Sequence, residues 1–215
     1  MIDGKFVVES PDAVKAIKLS GPKEKKLSDY ALYKLDFEFA AKALILIKST
    51  QDEFLIETLW RSAVVHYCKC FDHDSRSKLC ERKVYKNQDQ LCLKSFKHMM
   101  MLRDKHIVHD VNRLSTSIPI AVLNNDTSPL KVADVQCLTL EAVTMNEGHL
   151  ANLALLIHLA THWINLEMDR LTIEISKELE TLEYQQLFNM PEATYEVPLD
   201  LWEEKPKGWK PPADH

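Results

Sequence analysis

Residues 146–187 read NEGHLANLALLIHLATHWINLEMDRLTIEISKELETLEYQQL. Within that stretch Leu150, Leu153, Ile157, Ile164, Met168, Leu171, Ile175 and Leu182 recur at mixed three- and four-residue steps, the spacing that lines one side of an α-helix. Asn146, just ahead of the stripe, has the short polar side chain that caps a helix N-terminus. A helix of this length runs the length of a bundle and predicts an all-α chain whose other helices pack along it.

The preceding sequence supplies those helices. Ser28 is positioned to cap a helix over roughly 28–49, with Leu32, Leu35, Phe39, Ala43 and Leu46 on one stripe and Tyr33, Phe37, Ala40, Leu44 and Ile47 widening it. A second helix is expected from Thr50-Gln51-Asp52 to about Phe71, through Leu55, Leu59, Ala63, Tyr67 and Cys70. A third, capped by Asn87, is expected to reach His109 through Leu91, Ser95, Met99, Leu102 and His106. Residues 115–142 change character, with Ile118-Pro119, β-branched pairs and the turn-like Asn124-Asn125-Asp126, and predict a small hairpin inserted between helices. The sequence thus predicts an all-α bundle of four to five helices over 28–187, an N-terminal arm over 1–27 and an extended Pro- and Trp-containing C-terminal tail over 188–215.

Composition agrees with helices around a sizeable core, because 46% of residues are apolar and only 4 are Gly. No window approaches the ~20 apolar residues of a membrane span, and the opening MIDGKFVVESPDAVK lacks the apolar run of a secretory signal. The expectation is therefore no membrane partner and a cytoplasmic location. Five cysteines, an odd number set within helical patterns, fit reduced thiols better than a disulfide framework. No Gly-rich phosphate loop and no internal repeat is present, which removes a nucleoside-triphosphatase reading.

Charge is uneven. Between Arg61 and Arg113 there are twelve Lys/Arg against six Asp/Glu, whereas from Thr161 to His215 there are five against twelve. A basic middle beside an acidic end is either an anion-binding face or ordinary helix solvation, and charge alone does not separate the two.

Chemistry concentrates in LRDKHIVHD, residues 102–110, where Arg103, Asp104, His106 and His109 fall together. A guanidinium holds phosphate oxygens through paired hydrogen bonds and neutralises charge growing in a transition state. An imidazole, with an ordinary pKa of ~6.5, takes a 2′-hydroxyl proton or protonates a leaving oxygen near neutral pH. On an ideal helix, residues six apart differ by ~240° in direction, so Arg103 and His109 do not share a face. Either the helix ends or bends before His109, or the working pair comes from two protomers; the second account is preferred here. The bland alternative is that Arg103 pairs with Asp110 or a neighbouring acid while His109 closes the helix end.

Arg103-Asp104 followed by His109 resembles the motif of the HEPN superfamily, whose ribonucleases carry an Arg, a polar residue, and a His a few residues on. LWRSAVVHYCKCF at 59–71 is similar to the second-helix segment of several such families. The resemblance implies a HEPN-like bundle acting as a homodimer and a metal-independent endoribonuclease that leaves a cyclic phosphate, often in toxin–antitoxin or phage-defence settings, with an antitoxin as a further partner. It implies that Arg103 binds the scissile phosphate, His109 acts as acid or base and Asp104 orients one of them. RNA would be the substrate, with His106, Lys105, Lys97 and Arg113 as binding residues and Lys94 steering it, and neither a metal nor another cofactor is required. The alternative is a non-catalytic HEPN-like dimeric binding or assembly module.

Other constellations are weaker. His66, Cys68, Cys70, His73 and Cys80 use metal-ligand residue types, but a Cys-x-Cys on a helix points its sulfurs about 200° apart, which defeats shared zinc coordination. His158 and His162 share a helix face without an intervening acid of the HExxH kind, so core or interface packing is the expectation.

Overall fold

The computed structural model describes residues 12–72, 76, 79–108 and 115–194. In chain order the elements are α1 (Pro22–Ile47), α2 (Glu53–Lys69), a single-turn α3 (Glu81–Val84), α4 (Gln90–Leu102), a π-helical turn (Arg103–Ile107), β1 (Ser115–Leu123), β2 (Val132–Glu141), α5 (Glu147–Leu179) and α6 (Tyr184–Phe188). The described residues form a mostly helical bundle carrying one two-stranded antiparallel sheet. Among the described residues, no helix is long and apolar enough to cross a membrane.

Local chemistry sets the helix ends. Asp52 Oδ1 accepts from Leu55 N at 3.0 Å, Asp89 Oδ1 from Cys92 N at 2.8 Å and Asn146 Oδ1 from His149 N at 2.8 Å, each side chain satisfying a backbone N–H that the first turn leaves unpaired. Asp89, not Asn87, therefore caps α4. The first helix begins at Pro22 rather than Ser28, because proline's fixed φ and missing N–H suit the first helical position. Gly21 ahead of it adopts φ 154°, a value open to glycine and not to L side chains. The long helix ends at Leu179, short of 187, and the chain turns before restarting at α6. There the Glu183 and Gln186 side chains cap each other's backbone.

The described residues form two units, one within 25–174 and a second drawn from within 1–24 and 175–215. In the second unit, among described residues, Ile17 and Glu192 form an antiparallel bridge, with Lys18 N donating to Pro191 O at 2.7 Å and Ala193 N to Ala16 O at 2.9 Å. Lys15 Nζ donates to the carbonyls of Phe188 at 2.6 Å and Met190 at 2.7 Å. The N-terminal segment and the chain after α6 are thus paired with each other over these residues. The expected C-terminal tail beyond residue 194 lies outside the described residues.

In the larger unit α1, α2, α4 and α5 contribute to one apolar cluster. The buried face of α1 carries Tyr30, Tyr33, Phe37, Ala40, Leu44 and Ile47, whereas Leu32, Leu35, Phe39 and Leu46 are exposed. Both stripes have helical spacing; the inward one is the stripe with three aromatic rings, which bury the most area per residue. Phe37, Tyr67, Phe71, Tyr85 and Phe96 pack with ring centroids between 4.9 and 6.4 Å. α3, absent from the sequence reading, delivers Tyr85 into this cluster, where its hydroxyl lies 2.7 Å from that of Tyr67 and donates to Leu156 O at 3.2 Å.

A charged node ties α1 to α2. Asp36, buried on α1, meets Lys69 Nζ at 2.6 Å, Arg76 Nη1 at 2.8 Å and His66 Nδ1 at 3.3 Å. Burial by itself would raise the Asp36 carboxyl, but these three partners hold it below the ordinary carboxylate value. A carboxylate whose folded pKa lies below its unfolded value stabilises the fold above about pH 4, and that contribution disappears as pH falls through the folded pKa. Asp36→Asn is expected to cost about 2 kcal/mol at pH 7, by leaving partly buried cations uncompensated. In urea unfolding, the gap between wild type and variant should close as pH is lowered below about 4; a gap independent of pH refutes the ionic account.

The hairpin is regular apart from a bulge at Val122/Leu123, with Ile118 opposite Leu138 and Ile120 opposite Gln136. Ile118, Ile120, Leu138 and Leu140 are all exposed, and alternation places them on one face. A two-stranded ribbon is at best marginally stable alone in water, and both of its outer edges are unpaired here among the described residues.

Candidate functional site

The motif segment occupies the π-helical turn. Val108 N donates to Arg103 O at 2.9 Å, five residues back, so α-geometry stops at Leu102 and one extra residue is accommodated between Arg103 and Ile107. The helix therefore changes form before His109, the first of the two accounts above, and the ~240° separation of an ideal helix no longer applies across it. His109, Asp110 and Arg113 lie outside the described residues.

Within the turn, the Arg103 guanidinium is held from two sides. Nε donates to Asp104 Oδ1 at 2.7 Å, with Nη2 2.5 Å from the same oxygen. Nη2 also donates to Asp72 Oδ1 at 3.0 Å, and Nη1 to Asp72 Oδ2. Burial opposes the charge on Arg103, but hydrogen bonds and charge from Asp72 and Asp104 raise its pKa above the ordinary value. The arginine side chain is 13% exposed, its partners Asp72 and Asp104 39% and 52%. Asp72 follows directly on the 59–71 segment, and α2 packs against the π-turn, so the two distinctive segments of the sequence meet in space.

His106 is buried, and among the described residues neither of its ring nitrogens has a hydrogen-bond partner. It borders two cavities. One, of about 380 Å³, is also lined by Leu102, Lys105, His98, Val143, Thr144 and His149. The other, of about 430 Å³, is lined by Arg61 of α2, Ile107 and Val108, and by Ser115, Thr139 and Leu140 at the foot of the hairpin.

In the first cavity the His98 and His149 rings lie 4.6 Å apart. His149 Nδ1 is 2.8 Å from the Thr144 carbonyl, which can only accept, so that nitrogen carries the proton and Nε2 is left as the acceptor of the neutral ring. Trp60 Nε1 donates to Thr144 Oγ1 at 3.2 Å, tying α2 to the same segment. His98 Nε2 is enclosed without a hydrogen-bond partner among the described residues. Burial, then the neighbouring His149, lowers the His98 pKa, so the ring is neutral near pH 7.

Of the remaining sequence candidates, Lys105 sits at the rim of the first cavity, while Lys97 and Lys94 are exposed on α4. His66 is taken up by Asp36 and stacks on Phe39 at 4.0 Å. Cys68 and Cys70 are buried, and burial pushes both thiols up, away from the thiolate a nucleophile needs. His158 and His162 are exposed rather than packed in the core. Among the described residues no three His, Cys, Asp or Glu side chains are grouped as metal ligands. Sequence reasoning missed Arg61 and the cavity role of His98 and His149. His98 lies seven and eight residues before Lys105 and His106, a helical spacing that was readable, whereas His149 has no local signal linking it to the motif.

Compared with family models, with curated proteins and with solved structures, the chain has no match.

Proposed function

We propose that this chain is a HEPN-like, metal-independent endoribonuclease acting as a homodimer. The observation that carries the reading is Arg103, fixed by Asp72 and Asp104 in the same π-turn whose His106 borders two cavities. Short π-helical insertions recur at functional sites because they turn side chains out of the regular helical register. Asp72 engages two guanidinium nitrogens with two oxygens, the paired geometry that a phosphate also takes. Because Asp72 and Asp104 are half-exposed, an RNA phosphate can exchange with one of them at modest cost.

In the reaction, a base removes the 2′-hydroxyl proton, the 2′-oxygen attacks phosphorus, and the P–O5′ bond breaks with a proton delivered to the departing 5′-oxygen. The products are a 2′,3′-cyclic phosphate and a 5′-hydroxyl. Arg103 neutralises the extra charge on the non-bridging oxygens, and His109 supplies or receives the proton. Arg61, paired with Glu57 in the resting chain, and the hydroxyls of Ser115 and Thr139, which line the second cavity, are assigned to the flanking backbone in this reading.

The occupant of the exposed hairpin face is a second copy of this chain. Its apolar residues and open edges are self-complementary about a two-fold axis, and its foot lines the same cavity as His106, so a protomer seated there adds groups next to the motif.

One observation favours a second reading, a non-catalytic assembly module: Asp72 and Asp104 already satisfy most of Arg103's donors. The two part company in one experiment. Purified chain with excess chelator is expected to cut single-stranded RNA to cyclic-phosphate ends. His109→Ala is expected to remove cleavage while sedimentation still reports a dimer. RNA left uncut by wild type, with the dimer lost in His109→Ala, establishes the module instead.

A further inference from the structure

We propose that the cavity among His98, His106 and His149 receives one unpaired base of the RNA whose phosphate lies at Arg103. This inference deepens the nuclease reading and rests on it. Two imidazoles at one cavity, the buried His106 and the half-buried His98, keep enclosed ring nitrogens without a hydrogen-bond partner among the described residues. Native folds rarely leave such atoms unpaired, because each has lost its hydration with nothing in exchange. These nitrogens are closed off from the cavity in the resting chain, so a ligand edge carrying donors and acceptors removes that deficit once a ring turns toward it.

Several ligand classes fail on the same observations. An anion would meet Lys105 at the rim but gains little deeper in, from a neutral His98 and walls made by Met101, Leu102 and Val143. A hydrocarbon chain would leave the ring nitrogens unpaired. For a metal ion, the described residues offer no group of three ligands. A planar heteroaromatic ring suits every wall, with faces for the apolar side chains and an edge of donors and acceptors for the imidazoles. A neutral imidazole offers a donor on one nitrogen and an acceptor on the other, so it can answer either kind of edge atom. The volume of about 380 Å³ lies within the ~300–1,000 Å³ of pockets that take small organic groups, and is sized for one base rather than a folded partner.

Position ties the cavity to the motif. Leu102 and Lys105, flanking Arg103 in the chain, both line it. A base turned out of its stack and seated there leaves its own phosphate beside the π-turn, the arrangement by which single-stranded RNA is read through splayed bases.

The test measures binding and not cleavage, using a 2′-O-methyl RNA oligomer that lacks the attacking hydroxyl. Moving a single abasic position along it is expected to weaken binding to wild type about ten-fold at one place and little elsewhere. His98→Leu and His106→Leu are expected to weaken the intact oligomer by a similar factor, with no further loss from the abasic substitution. Val143→Trp, at an exposed rim position, is expected to do the same by filling the cavity without disturbing the core. Equal affinity for intact and abasic oligomers at every position overturns the proposal, as does wild-type binding by Val143→Trp. A nucleoside monophosphate that binds as tightly as the oligomer overturns RNA as the source of the base. If unmodified RNA remains uncut while the abasic effect stands, the cleavage reading alone falls.

Discussion

Arg103→Lys is expected to slow RNA cleavage by about 10²–10³-fold, the scale of losing one preorganised donor pair aimed at transition-state charge. Lysine keeps the positive charge and can still pair with Asp72 or Asp104. What it loses is the planar fork, which in the resting protein spans both oxygens of Asp72. Single-turnover cleavage at saturating protein measures the effect, and thermal unfolding controls for stability. Because Asp72 and Asp104 are half-exposed, the unfolding midpoint should move by only a few degrees. If Asp72 stands where a phosphate oxygen pair belongs, Asp72→Asn should tighten RNA binding by weakening the competitor for the fork. Wild-type cleavage by Arg103→Lys would show that charge alone suffices, and the argument from paired geometry would fail.

The parts of this protein that were legible beforehand are those fixed by local rules. Three-four spacing located α2, α4 and α5, and Asp52 and Asn146 cap their helices as short polar side chains do. The hairpin was legible from Pro119, the β-branched residues and the Asn-rich turn. Which stripe of α1 faces inward was not, because both stripes are apolar and only tertiary packing, such as that of Phe37 on Tyr67 of α2, decides it. α3 is a single turn held by tertiary contacts of Tyr85, too short to carry a period. The π-turn has no propensity signature either, and it altered the one angular argument the motif allowed. Arg103's partnership with a neighbouring acid was anticipated as the bland alternative and Asp104 fills it, but its second partner among the described residues, Asp72, lies 31 residues away. A long-range ion pair leaves no trace in spacing. The same holds for His149, which reaches the cavity only because α5 returns past α4.

Trp60→Ala is expected to remove a large share of the stability of the larger unit. Trp60 is fully buried at the centre of α2, among the largest enclosed side chains of the molecule. Deleting a buried aromatic costs about 3–5 kcal/mol, against a total of about 5–15 kcal/mol for a typical domain. For a chain of this size that is a fall of roughly 6–20 °C in unfolding midpoint, measurable by circular dichroism, with loss of near-ultraviolet signal at temperatures where wild type retains it. The indole does more than fill space. Its N–H donates to Thr144 Oγ1, and the Thr144 carbonyl accepts from His149 Nδ1, so one residue links the α2 core to the imidazole that lines the cavity. Trp60→Phe separates the two roles, keeping most of the ring volume while leaving the buried Thr144 hydroxyl without this donor, at a cost of about 1–2 kcal/mol. It should fold cooperatively yet bind the 2′-O-methyl oligomer more weakly, since His149 loses an anchored support. If Trp60→Phe binds as wild type, the Thr144 link is only structural; if Trp60→Ala melts with wild type, the core has been misplaced.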